Sequence, residues 1–521
     1  MLFHAFEFVL VFLPLTFALF LLLERTGNAR FTVHLLTLAS LVFYGWWDWR
    51  FLLLLVGSVI VNYWLGVAIA ARHGSHAARA IVIFGIGLDI ALIGVFKYTD
   101  FALGTFTTIA GWEYHPIGIV LPLGISFFTF QQIAWLADIY SGRDRRVPPF
   151  KDYALFVTFF PQLIAGPIVH WSEVGDQYRR METRQRSADR AWLDFAVGMS
   201  IFIMGLAKKI VIADGCAQIA SPIFNGADGG QIAPTLASWG ATLAYTLQIY
   251  FDFSGYSDMA IGLARMFGIR LPVNFYSPYK QGSIIGFWRT WHITLSRFLR
   301  DYVYIPLGGN RRGPVHRHFN MLATMLIGGL WHGASWNFVI WGGLHGIFLT
   351  VNHLWRDFRK RRGIASSGLA GNLWQWAGWA LTLFLVMHAW ILFRAETFAG
   401  AGTMLRSMYA FAFDLSGDRP LAARITDKEW GMIGIALAIA VLAPNTAEIF
   451  RKYNPAVGLA ALRRRLSDEP LVRMYYLPAT WRVPAWRPTT AWALAIAALL
   501  IAYLYTATRY EAYVEFIYFR F

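Results

Sequence analysis

FLLLLVGSVIVNYWLGVAIAA, residues Phe51–Ala71, runs for 21 residues without one charged side chain. A helix of about 20 apolar residues spans the roughly 30 Å hydrocarbon core of a bilayer. The stretch therefore predicts a membrane-spanning helix. Similar runs flank it at Phe8–Leu23, Phe31–Trp47 and Ala80–Phe96. More follow at Ile117–Ile139, Tyr153–Val169, Trp192–Ala213, Pro234–Phe253, Asn320–Gly333, Trp336–Leu354, Leu373–Phe393, Trp430–Leu442 and Thr490–Tyr505. Several are short or carry polar residues. Those are candidates for re-entrant or buried segments, since irregular backbone persists at membrane depth only inside protein or along a wet cavity. The predicted fold is all-α and polytopic, with about eleven spans, re-entrant and interfacial helices besides, in a single domain over residues 1–521.

Composition agrees with lipid as the solvent. Charged residues are 15% of the chain and hydrophobic ones 57%, against roughly 25% charged in soluble domains. The 23 Trp and 23 Tyr suit the two membrane–water interfaces. The formal charge of +16 would fit nucleic acid. Its placement excludes that partner, because the charges sit in short runs between apolar segments, where loops lie against anionic lipid or an anionic ligand. These basic runs are Arg143–Lys151, Arg179–Arg190, Arg289–Arg317, Arg356–Arg362 and Arg463–Arg465. Most belong on the cytoplasmic side by the positive-inside tendency. Cys216 is the one cysteine, so no intrachain disulfide and no multi-thiolate metal site can form. The N-terminal apolar run lacks a preceding Lys or Arg and reads as a retained helix. The longest polar stretches are Arg394–Glu429 and Arg451–Thr489, and the second reads as a surface loop with short amphipathic pieces. The second contains Pro455, Pro470, Pro478, Pro484 and Pro488.

Ionisable residues at membrane depth are costly and mark functional candidates. YFDFSGYSDM, Tyr250–Met259, carries Asp252 and Asp258. Six residues apart, they point to different helix faces, about 240° around the axis. They make a poor acid–base pair and suit bonds to helix ends or arginines. FWRTWHITLSRFLR, Phe287–Arg300, has the pattern of an interfacial helix, with His292 among Trp288, Trp291 and Leu295. Desolvation there favours neutral imidazole. MLIGGLWHGASWNFVIWGGLHG, Met325–Gly346, combines close-packing glycines with His332, near a break between two helices, and His345 deeper in the second. Packing histidines are the alternative reading of each. No HExxH or cysteine pair supports a metal, and none is expected.

At these residues the chain resembles the membrane-bound O-acyltransferase superfamily, and within it the branch of bacterial alginate and exopolysaccharide O-acetylation proteins. The resemblance rests on ordered motifs: LPLGISFFTFQQIAWLADIY at Leu121–Tyr140, FFPQLIAGPIV at Phe159–Val169, GLAKKIVIAD at Gly205–Asp214 and YFDFSGYSDMAIGLARMFGI at Tyr250–Ile269. NFYSPY at Asn274–Tyr279, FWRTWHITLSRFLRDYVYIPLGGNR at Phe287–Arg311 and LWHGASWNFVIWGGLHG at Leu330–Gly346 continue it. WILFRA at Trp390–Ala395 and FIYF at Phe516–Phe519 close it. Arg520 stands where that branch is expected to have Gln.

The resemblance implies that His332 is the histidine required for acyl transfer, acting as general base. It implies that His292 occupies the second active-site polar position, where it would orient or polarise the thioester carbonyl and steady the developing oxyanion. Trp288, Trp291, Trp331 and Trp336 would wall the site, with Asn337 and His345 against the substrate and Arg289 at the donor's phosphates. It further implies an inner-membrane acetyltransferase with acetyl-CoA as donor substrate and no resident cofactor. A periplasmic acetyltransferase or carrier would complete transfer to an exported polysaccharide such as alginate. D-alanyl or other acyl transfer to an envelope polymer, and a non-catalytic transporter or scaffold role, stay open at this point.

Overall fold

The computed structural model describes residues 1–144, 146–183, 186–364, 368–410, 425–467, 484–509 and 516–517. Pro470, Pro478 and Arg520 lie outside the described residues, as do Tyr518 and Phe519 of FIYF and parts of both long polar stretches. Among the described residues the chain is helical, with an isolated bridge from Pro272 to Val457.

Six described helical segments are long and apolar enough to cross a membrane: Glu7–Arg25, Trp49–Ala71, His76–Ala110, Ala188–Asp228, Leu373–Arg394 and Thr490–Thr508. Ala29–Gly45 is apolar but shorter. The expected total of about eleven is therefore not reached on length and apolarity alone. Thr235–Met266, Pro314–His332 and Trp336–Arg361 are long helices that carry polar side chains within them. Thr490–Thr508 is only 11% buried by protein, whereas Ala188–Asp228 is 61% buried. The first therefore offers most of its surface to lipid, and the second is packed inside the protein.

Local chemistry sets the ends. Asp48 accepts the amide of Arg50 at 2.9 Å and caps Trp49–Ala71. Ser75 caps His76–Ile93 through the amide of Ala78. Two expected spans break. Ile117–Ile139 is helical only from Ile125, because Gly124, at φ +72°, stands before it. Tyr153–Val169 divides into Phe150–Thr158 and Phe160–Leu163, with Phe159 extended between them and Pro161 opening the second piece. Asp152–Val169 is buried throughout, as a re-entrant segment requires, whereas Ile117, Val120 and Phe150 are exposed. The polar stretch after Arg394 contains a helix not expected from sequence, Phe398–Tyr409, with Met404 and Met408 buried. Leu459–Ser467 is the amphipathic piece expected in the second stretch.

The chain forms two compact units that interleave along the sequence. One comprises Met1–Phe202, Ser257–Val273 and Pro455–Val457; the other comprises Ile203–Tyr256, Asn274–Asn454 and Gly458–Phe521. Within the first, a Cβ at Gly262 would meet the carbonyl of Gly198 at 2.6 Å, so these helices touch backbone to backbone.

The second unit holds a buried ion triad. Lys209, in the π-helical turn Lys208–Ala213, lies 2.6 Å from Asp214 and 2.8 Å from Asp252. Asp252 also accepts the backbone amide of Ile517 at 2.9 Å. Its role is thus structural, with a lysine rather than an arginine as partner. Removing one member of a buried ion group costs about 3–5 kcal/mol, because the remaining charges lose their compensation. Lys209→Ala should therefore lower folded yield and thermal stability sharply, read by fluorescence-detected size exclusion after a heating series. An unchanged melting profile would mean the triad is not what holds these segments.

Candidate functional site

Two helices of the second unit meet through glycine. A Cβ at Gly329, on Pro314–His332, would collide with the carbonyl of Phe338. One at Gly342, on Trp336–Arg361, would collide with the carbonyl of Met325. The two glycines face one another and let the backbones touch. Ser335 at the second helix's start, after the extended Gly333, makes the turn tight. Pro314–His332 ends on His332 itself, as the sequence break predicted.

This crossing assembles a row of rings. His292 lies 6.0 Å from Trp331, centroid to centroid, and Trp331 lies 4.8 Å from His332. His332 lies 5.0 Å from Trp341, and Trp341 lies 4.7 Å from His345. The three histidines are all buried. Phe393 meets His332 at 5.1 Å, and Trp390 stacks on Trp341 at 5.6 Å. Well-placed aromatic pairs add about 0.5–1.5 kcal/mol each beyond their buried area. The row is therefore stiff, and water has little room within it.

His292 occupies the turn between Ile284–Thr290 and Ile293–Leu299, outside the six apolar spans. Its φ of +41° is unusual for a residue with a Cβ, and such strain gathers at functional positions. Asn274 holds it there. Asn274 Oδ1 faces His292 Nδ1 at 3.0 Å and accepts the Thr294 hydroxyl at 2.9 Å. The Asn274 carbonyl accepts the amide of Ile293 at 2.9 Å. An oxygen acceptor at Nδ1 selects the tautomer with Nδ1–H, which makes Nε2 the lone-pair nitrogen. Full burial depresses the His292 imidazole to about 3, so it stays neutral at physiological pH.

His345 has the opposite tautomer. Its Nδ1 accepts the indole N–H of Trp288 at 3.2 Å. The ring proton therefore sits on Nε2, a buried donor with no hydrogen-bond partner among the described residues. An orphaned buried donor costs about 1–3 kcal/mol, and it is stabilised when a ligand acceptor reaches it.

Of the four tryptophans expected as walls, Trp288, Trp291 and Trp331 are buried. Trp291 is buried, 5.0 Å from Trp390. Asn337 donates to the carbonyl of Ala395 at 2.9 Å, tying the start of its helix to the end of Gly368–Arg394. Trp336, expected as a wall, is 55% exposed, unlike the other three tryptophans. Arg289 sits beside Trp288 on the short helix. Burial first, and then the charges of Arg465 and Arg356, hold its guanidinium down to about 10. The charges of Arg356 and Arg465 are therefore felt at Arg289. Sequence reading placed both in basic runs and used them only for orientation. It also missed Asn274, Trp341, Trp390 and Phe393 as site residues, although NFYSPY and WILFRA contain three of them.

Comparison with known proteins adds the family context. The model of the membrane-bound O-acyltransferase family matches residues 141–392, which contain all three histidines. A peptidoglycan O-acetyltransferase of Helicobacter pylori is 41% identical over 433 residues, covering 78% of this chain and 80% of the relative. A probable alginate O-acetylase AlgI of Pseudomonas aeruginosa is 40% identical over 416 residues, covering 79% and 75%. A teichoic acid D-alanyltransferase of Streptococcus thermophilus is 28% identical over 288 residues, covering 52% and 68%.

Asn274→Ala should remove the side-chain acceptor that sets the tautomer of His292 and takes the Thr294 hydroxyl, leaving the main-chain bond to Ile293 in place. A loss of about 1–3 kcal/mol is expected for the orphaned donors, read as a drop in thermal stability of purified protein. Equal melting of wild type and Asn274→Ala would show that Asn274 does not hold the turn.

Proposed function

The chain belongs to the membrane-bound O-acyltransferase family, and from that premise we propose that it transfers acetyl from acetyl-CoA toward hydroxyls of a polysaccharide outside the inner membrane. It is a membrane-embedded O-acyltransferase. The acetyl group and the polysaccharide are inferred from the relatives named above, which differ between peptidoglycan and alginate. The observation that carries the site assignment is the buried ring row with His332 at its centre, at the end of its helix.

In this reading His332 takes the proton from the acceptor hydroxyl as its oxygen attacks the thioester carbon. The carbon–oxygen bond forms, the carbonyl oxygen becomes an oxyanion, and collapse expels the CoA thiolate, which receives the proton. General-base assistance of this kind supplies about 10²–10⁴-fold in rate. The tautomers divide the remaining work. His345, with a proton on Nε2, is the suited donor to the carbonyl oxygen. His292, neutral with a lone pair on Nε2, orients a hydroxyl rather than stabilising an anion, so the oxyanion role first drawn from resemblance passes to His345. Trp331, Trp341 and Phe393 limit wasteful hydrolysis of the thioester by keeping water out. Arg289, Arg356 and Arg465 are the cations suited to the donor's phosphates. A periplasmic acetyltransferase or carrier would then finish delivery to the polymer.

The test is release of CoA from acetyl-CoA by the purified protein in nanodiscs, with partner and acceptor polysaccharide supplied. His332→Ala should lose about 10²–10⁴-fold in kcat while eluting and melting like wild type. His345→Phe should lower kcat with little change in the KM for acetyl-CoA, and Arg289→Ala should raise that KM. A His332→Ala protein that turns over normally would overturn the assignment. Turnover only with a D-alanyl donor would replace acetyl by the group named for the Streptococcus relative.

A further inference from the structure

Two adjoining cavities lie in the first unit, and both are lined entirely by its own residues. The larger, of about 860 Å³, is bordered by Arg180, Arg186, Arg190 and Arg270, with Glu173 and Asp194 among them. The smaller, of about 240 Å³, is bordered by Phe17, Leu21, Trp192 and Phe195, with Arg25 at its edge. Glu24 and Arg186 line both. Phe17 and Leu21 belong to the span Glu7–Arg25; Trp192 and Phe195 belong to the span Ala188–Asp228. The apolar groove thus runs along two spans and opens onto arginines at their charged ends.

The arginines are held in place by the fold. Glu24 takes Arg186 through two bonds, at 2.9 and 2.7 Å. Asp194 is shared by three guanidiniums, with Arg265 at 2.7 Å, Arg190 at 3.2 Å and Arg186 at 3.4 Å. Glu24 and Asp194 are two carboxylates against the three cations Arg186, Arg190 and Arg265. Gln177 clamps the backbone of Arg270 from both sides, at 2.9 and 3.0 Å. The Arg270 guanidinium is held below its ordinary value by burial and then by Arg190. An anion entering the cavity would relieve that repulsion.

We propose that this pair of cavities binds an anionic phospholipid, with the headgroup phosphate among Arg180, Arg190 and Arg270 and an acyl chain along Phe17, Leu21, Trp192 and Phe195. The phosphate chemistry alone would equally suit a soluble phosphate compound. The groove decides for the lipid, because a soluble ligand would leave those apolar walls uncovered. Trp192 is 62% exposed at the charged end of its span, the position where tryptophan meets headgroups. The site does not depend on the acyl-transfer reading and is tested without turnover.

Native mass spectrometry of the delipidated protein, given phosphatidylglycerol or phosphatidylcholine of matched chains, reads the site directly. Wild type should retain one phosphatidylglycerol in preference to phosphatidylcholine. Each lipid-facing arginine contributes about a fivefold gain in affinity. Arg180→Ala combined with Arg270→Ala should therefore weaken phosphatidylglycerol retention roughly thirtyfold. Trp192→Ala should weaken retention of both lipids and leave the preference intact. If the double variant does not fold, the wild-type preference and Trp192→Ala still decide. Equal retention of the two lipids, or retention unchanged in the folded variants, would overturn the proposal. Displacement of phosphatidylglycerol by inorganic phosphate or coenzyme A at equal concentration would overturn the lipid in favour of a soluble phosphate compound.

Discussion

The contact on which the candidate site depends is the backbone meeting of Gly329 and Gly342. Any side chain at either position would strike a carbonyl of the opposite helix. Lipid supplies no hydrophobic drive between helices, so close packing must hold them instead. That packing fixes where Trp341 projects, and Trp341 is the ring that both His332 and His345 touch. Moving the helices apart by the width of a methyl group would separate the histidines and admit water.

The polar groups of this unit then follow one rule. In a low-dielectric interior each must find a partner or await one. Lys209, Asp214 and Asp252 satisfy one another. Asn274 satisfies His292 and Thr294 together. His345 takes the Trp288 indole on one nitrogen and keeps a proton on the other. Structural polar groups are thereby separated from His345 Nε2, a donor with no acceptor among the described residues. The tautomers, which decide donor from acceptor, come from these neighbours and not from the imidazoles themselves.

Several parts of this arrangement were legible beforehand. The membrane class followed from long uncharged runs such as Phe51–Ala71. His292, His332 and His345 stood out because ionisable residues in apolar surroundings are rare. The break after His332 was readable from its glycine and serine neighbours. The count of spans was not, because helices such as Thr235–Met266 are buried by protein and can carry polar residues that lipid would exclude. Asn274 was not legible as a site residue either, since it lies eighteen positions before His292 and looks like an ordinary loop amide. Arg356 and Arg465 lie 67 and 176 residues beyond Arg289, and no local pattern joins them to it.

The sequence by itself determined the solvent, the helical class and the identity of the scarce polar groups. Those properties depend on composition and on runs of neighbours along the chain. Tertiary structure alone decided which groups meet. It placed Trp336 at the surface and Trp341 between two histidines, although the two share one helix, because five residues turn a side chain about 140° around the axis. It also set His292 at a positive φ and gave it a different tautomer from His345. Pairing, orientation and proton position are properties of contacts between distant segments, and no spacing along a single segment encodes them.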